Sequence, residues 1–172
     1  SYAKSVKLDP KLKKDKRLQE DIFALLKSKF RSHRKGGLKF LDESMGKDSK
    51  PILVRAFEKI DNYQTLRSAL VVAEKHGLGK AINRRRFLEI MLRDSPHCSE
   101  RREAAKQLML SGDIKALPAL KHAMVRKPWV YNHRRRSNDC IRPTLQAAIA
   151  RLEKKAGISP TKDGGTEKKD DK

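Results

Sequence analysis

Short helical patterns return along this chain, with helix starts recurring at a period near 40 residues, and that recurrence limits the fold more than any bulk property does. Pro51-Ile52-Leu53 followed by Ala56-Phe57 aligns with Pro118-Ala119-Leu120 followed by Ala123-Met124. Both read P-x-L-x-x-A and then a large apolar side chain. Near each lies a helical segment with an arginine by its start and small apolar residues behind it, at Arg67-Ser-Ala-Leu, Arg101-Arg-Glu-Ala-Ala and Arg142-Pro-Thr-Leu. Cys98 and Cys140 stand 42 residues apart at the starts of two such segments. Helices that repeat in register stack at 8 to 10 Å, so the two cysteines are expected within about 10 Å of each other.

The local signals agree with short helices. Leu18, Ile22, Phe23, Leu25, Leu26 and Phe30 fall at helical spacing, in a helix predicted to finish in the basic stretch RSHRKGG at Gly36-Gly37. A short helical stretch from Leu38 to Met45 stops at Gly46, and Pro51 opens the next run at a first-turn position. Tyr63 to His76 carries Leu66, Ala69, Leu70 and Ala73 on one face and ends at Gly77 and Gly79. Asn83 is placed to cap RRRFLEIMLRD. Ser95-Pro96 precedes ERREAAKQLML, Gly112 ends it, and Asp113 caps IKALPALKHAMV. After a loop from Arg126 to Asp139, a last helix runs to Gly157. No segment alternates with a two-residue period between hairpin turns, so no strand is predicted. Aromatic residues are 5% of the chain, which leaves Leu, Ile, Val and Ala to build the core. Leu108, Leu117, Leu120, Leu145 and Ile149 are expected to form one contiguous part of it.

Forty-two Lys and Arg against 21 Asp and Glu give a formal charge of +21, a surface that attracts polyanions. The basic clusters are Lys27–Lys35, Arg84-Arg85-Arg86 and His133-Arg134-Arg135-Arg136. If they share a face they make a sequence-independent polyanion site; if they are scattered they are a solvated surface. Trp129 and Tyr131 stand beside the last cluster, where a ring can stack on a base or ligand. The competing reading, that Trp129 anchors the long loop onto the last helix pair, is the stronger. Arg84, Arg85, Arg86, Trp129, Tyr131, Arg134, Arg135 and Arg136 are therefore the candidate contacts for a polyanion or partner.

Enzyme chemistry has little foothold. His97, Cys98, His133 and Cys140 lack the close pairing that nucleates a zinc site. Cys98 beside His97 has no accompanying oxyanion turn. Gly77-Leu78-Gly79-Lys80 lacks the phosphate-loop spacing and has Ala81 where the hydroxyl is needed, so it reads as a helix-to-helix turn. No metal, cofactor or small-molecule substrate is expected, and the two cysteines are expected to be free thiols. No apolar run reaches membrane-spanning length, and a cytoplasmic location is expected. The chain opens at Ser1-Tyr2 within a helical pattern, which suggests a piece of something longer.

ERREAAKQLMLSGDIKALPALKHAM, a helix, a Gly-Asp turn and a helix, resembles a HEAT repeat. Tyr2, Ser5, Val6, Leu8, Asp9 and Pro10 resemble the close of a tetratricopeptide repeat. Together these are similar to the C-terminal regions that follow the kinase domain in some large bacterial serine/threonine protein kinases. The glycine-rich loop, H-R-D and D-F-G of a kinase are missing from this sequence, so any phosphotransfer would reside elsewhere. The resemblance implies an all-α, HEAT-like superhelix in the form of a short solenoid. Residues 1–30 would be the tetratricopeptide end and a linking helix, 31–156 the HEAT-like repeats, and 157–172 a disordered tail. It also implies a non-enzymatic, protein-binding module in a larger bacterial signalling protein. The high positive charge departs from the mixed sign usual on HEAT surfaces and motivates the alternative, a basic HEAT-like nucleic-acid-binding module.

Overall fold

Asp15 starts the first long helix, α1 (Lys16–Lys27), because its carboxylate accepts from the Leu18 N–H at 2.8 Å. The helix buries Leu18, Ile22, Phe23 and Leu26. It ends at Lys27, earlier than the glycine pair suggested, and α2 (Arg31–Phe40) runs straight through Gly36 and Gly37. The reason is packing. A Cβ at Gly37 would lie 3.1 Å from Leu26 Cδ2 and 3.2 Å from Leu25 Cβ, so this glycine lets α2 lie close against α1. The break between the helices is made instead at Ser28, whose hydroxyl accepts from the Phe30 N–H at 3.2 Å.

The computed structural model describes residues 5–6, 9–131 and 134–158, with residues 131 and 134–136 described by their backbone alone. The chain divides into two compact units, Ser1–Ser95 and Pro96–Lys172. The boundary expected near residue 30 falls between α1 and α2, which pack on each other.

In the first unit, Asp9 caps a 3₁₀ turn over Pro10–Lys14 and Val6 is buried, while Tyr2 and Leu8 of the tetratricopeptide resemblance lie outside the described residues. α2 passes into a π-helical turn (Leu41–Met45) and a 3₁₀ turn (Gly46–Ser49) before α3 (Lys50–Lys59), which carries Pro51 in its first turn. Asn62 caps α4 (Tyr63–Lys75) through the Thr65 N–H at 2.9 Å, and Asn83 caps α5 (Arg84–Asp94) through the Arg86 N–H at 3.1 Å. α1 packs on α2 and α3, and α4 on α2, α3 and α5. Leu26, Leu53, Ala56, Phe57, Leu66 and Ala69 are fully enclosed between them.

In the second unit, Gly112 ends α6 (Cys98–Ser111) in the left-handed conformation, φ 64°, and Asp113 caps a 3₁₀ turn leading into α7 (Leu117–Val125). The last helix, α8 (Arg142–Lys155), packs on both α6 and α7. Leu108, Leu117, Leu120 and Leu145 are buried as expected, whereas Ile149 is only half-buried. Ala148 and Leu152 continue the core face of α8, and alanines 104, 105 and 123 opposite allow close helix approach.

Between α7 and α8, where only a loop was expected, an antiparallel hairpin pairs β1 (Trp129–Tyr131) with β2 (Arg134–Arg136). Its first strand is aromatic and β-branched, the composition that favours a strand, but three residues are too short to show a two-residue period. Helices otherwise dominate the described residues, and the fold class is all-α. The tail from residue 159 lies outside the described residues.

Candidate interaction surfaces

The three basic clusters fare differently. Arg84, Arg85 and Arg86 each meet a carboxylate of their own unit. Arg84 pairs with Glu74, and Arg85 with Glu89 at 2.6 Å one turn along α5. Arg86 reaches Asp61 at 3.1 Å and donates to the Glu58 carbonyl at 3.0 Å. The cluster therefore ties the start of α5 to α4 and to the end of α3. Arg93, hydrogen-bonded to Asp94 and near Asp61, is held still more firmly in its charged form.

The cluster at α1–α2 is less engaged. Arg34 is spent on carbonyls of the link between α1 and α2, donating to Ser28 O at 2.7 Å and Lys29 O at 2.8 Å. Lys27, Lys29, Arg31 and Lys35 are exposed, and among the described residues no carboxylate pairs with them. Phe30 beside them is 54% exposed and meets the His33 ring edge-on at 5.2 Å. This is a basic cluster without ion-pair partners among the described residues, with an exposed aromatic ring beside it.

The third cluster belongs to the hairpin of the second unit. The strand register sets Arg136 across from Trp129, Arg135 across from Val130 and Arg134 across from Tyr131. His133 lies outside the described residues. Val130 is 72% exposed, while Trp129 is drawn inward. The Arg126 guanidinium lies 3.9 Å and the Arg101 guanidinium 5.1 Å from the centre of the Trp129 ring, a cation–π contact on each count. Trp129 thus lies against Arg126, just past α7, and Arg101 of α6.

Arg101 is the residue that sequence reasoning placed in a motif without seeing its role. It is 2% exposed and donates to the Ser137 carbonyl at 2.8 Å, at the return end of the hairpin. Of the three arginines at helix starts, Arg67 and Arg142 are exposed, and Arg142 pairs with Asp139 at 2.9 Å. Only the one beneath Trp129 is buried. Buried Asn138 donates to the Ala123 carbonyl at 2.8 Å and Arg102 to the Cys140 carbonyl at 2.8 Å. These bonds all hold the segment between β2 and α8.

Cys98 and Cys140 form a disulfide with Cα atoms 6.4 Å apart, which corrects the expectation of free thiols. The two cysteines lie within the distance expected of them, and at that distance two cysteines can bridge. Neither sulfur is left for a nucleophile or a zinc ligand in this state, and the described residues contain no group of three or more metal-ligating side chains.

The Gly77-Leu78-Gly79-Lys80 segment is a helix-ending turn. Gly77 has φ 72°, its N–H donates to Glu74 O at 3.0 Å, and the Leu78 N–H donates to Ala73 O at 2.7 Å. An open groove of about 710 Å³ beside it is lined by Glu74, Lys80, Ile82 and Arg84, and its Arg84–Glu74 pair is already formed. No helix among the described residues is long and apolar enough to cross a membrane. Compared with known protein families, with curated proteins and with solved structures, the chain matches none.

Proposed function

We propose that this chain is a non-enzymatic, HEAT-like helical-repeat module that binds a protein partner. The observation that carries the repeat reading is the meeting of equivalent helix starts: residues 42 apart in sequence lie 6.4 Å apart at the beginnings of α6 and of the turn into α8. Repeats that stack do this, because each helix pair covers its apolar face with the next. The similarity to regions that follow bacterial kinase domains extends the proposal to service in a larger cytoplasmic signalling protein. The engagement of Arg84, Arg85 and Arg86 with the chain's own carboxylates favours a protein over a nucleic acid, since those guanidiniums are already neutralised.

A second reading, a basic nucleic-acid-binding module, draws on the exposed cations Lys27, Lys29, Arg31 and Lys35 and on the Arg134–Arg136 strand. Salt separates the two. Binding of duplex and single-stranded nucleic acid is measured by fluorescence anisotropy at about 150 mM salt, where a Debye length of about 8 Å screens the diffuse field of a basic protein. The protein-binding reading expects weak association there, unaffected by joint replacement of Arg134, Arg135 and Arg136. Tight binding whose salt slope flattens by up to about three units in that variant would establish the second reading instead.

A further inference from the structure

We infer that Cys98–Cys140 is a reversible thiol-exchange site, open to a small dithiol, whose state governs how firmly the Trp129–Arg136 hairpin is held. The inference rests on the chemistry around the sulfurs and is independent of the partner proposed above. A cystine that serves stability alone is content among apolar side chains. This one has a guanidinium beside each sulfur: Arg102 Nη2 lies 3.9 Å from Cys98 Sγ, and Arg101 Nη2 lies 3.7 Å from Cys140 Sγ. Cys98 is also the first residue of the 14-residue helix α6, where the helix dipole is positive. Helix starts and neighbouring arginines stabilise a thiolate, and so both the leaving group of exchange and the reduced pair.

Access completes the arrangement, because Cys140 belongs to an exposed turn. An incoming thiolate bonds to Cys140 Sγ, the protein S–S bond breaks, and its electron pair departs on Cys98 Sγ, facing Arg102. The reductant's second thiol, deprotonated, then attacks its own sulfur in the mixed disulfide and releases the Cys140 thiolate. The net change adds two electrons and two protons to the cystine and converts the dithiol into a cyclic disulfide. Once the bridge opens, the segment between β2 and α8 loses its covalent tie to α6 and is held by the buried side chain of Ile141 and by the hydrogen bonds from Arg101, Arg102 and Asn138. The hairpin is correspondingly looser over Trp129, the only tryptophan in the chain.

The test treats the full chain with dithiothreitol at pH 7 without denaturant, counting thiols by maleimide mass shift while following tryptophan emission and far-ultraviolet circular dichroism. Two thiols should be released with helicity retained and with a shift in Trp129 emission. Arg102→Gln should slow the reduction by about threefold or more through its poorer leaving group, and Arg102→Lys should restore much of the rate. Should Arg102→Gln not fold, the pH dependence of iodoacetamide alkylation of the reduced parent decides: a thiol titrating clearly below the usual value of about 8.5 supports the site. A cystine that resists reduction until the protein is denatured overturns the inference. So does reduction with unchanged emission, a rate unaffected by Arg102→Gln, or thiols that titrate at or above the usual value.

Discussion

Arg86 in the first unit and Arg101 in the second are both hydrogen-bonded to backbone carbonyls, yet they do opposite things for their surroundings. Arg86 lies on a partly exposed edge, joins Asp61, and leaves its unit's core to apolar side chains around Phe57 and Leu66. Arg101 is itself among the most enclosed side chains of its unit, set below Trp129 and beside the disulfide. A surface ion pair in high dielectric contributes little. A buried guanidinium that carries a backbone carbonyl's hydrogen bond is costly to remove. The first unit is therefore held by its core with ion pairs as trim, and the second by a core plus a polar and covalent clasp.

The largest expected effect is on that clasp. Arg101→Leu should destabilise the second unit by about 3 kcal/mol, because it strands the Ser137 carbonyl and takes a cation from the Trp129 ring. Thermal unfolding followed by tryptophan emission reads this directly, and a loss below about 1 kcal/mol would put Arg101 in the same class as Arg86.

Next comes the contact that brings α2 against α1. Gly37→Ala should cost about 1 to 3 kcal/mol by overpacking Leu25 and Leu26. Gly36→Ala, with nothing within 4 Å of the new Cβ, should instead stabilise by about 0.5 to 1 kcal/mol. Chemical denaturation of the two variants must move in opposite directions for the packing to be as described.

Arg86→Ala should cost no more than about 1 kcal/mol, and less in high salt. The smallest effect concerns acid. Hydrogen bonds from Lys75 and then His76 hold the Asp42 carboxyl below the ordinary aspartate range. A lowered folded-state pKa favours folding above the ordinary value, and the gain fades as pH falls through the lowered one. Asp42→Asn should accordingly flatten the acid limb of a melting-temperature profile.

These contrasts also mark what the sequence makes legible. Caps and stops act over a few neighbouring residues, which is why Asn83, Asp113, Gly112 and Gly157 stand where local rules put them. Gly37 misleads because the same missing side chain that ends a helix also admits a neighbouring one, and only the tertiary contact distinguishes the two. The basic clusters are plain in the sequence, but whether an arginine meets solvent or a carboxylate depends on partners such as Glu74 and Asp61, 10 and 25 residues away. The repeat spacing foretold the closeness of Cys98 and Cys140. Their bond is not legible in a count of two cysteines, which marks no disulfide scaffold, and it follows only from how close the fold brings them.

The contrast between the two units is tested most directly by amide hydrogen exchange resolved along the chain, before and after reduction under native conditions. The account predicts that protection falls around residues 126–142 and the start of α6 once the disulfide opens, while α1 to α5 exchange as before. Unchanged protection in the second unit, or an equal loss in both, would contradict it.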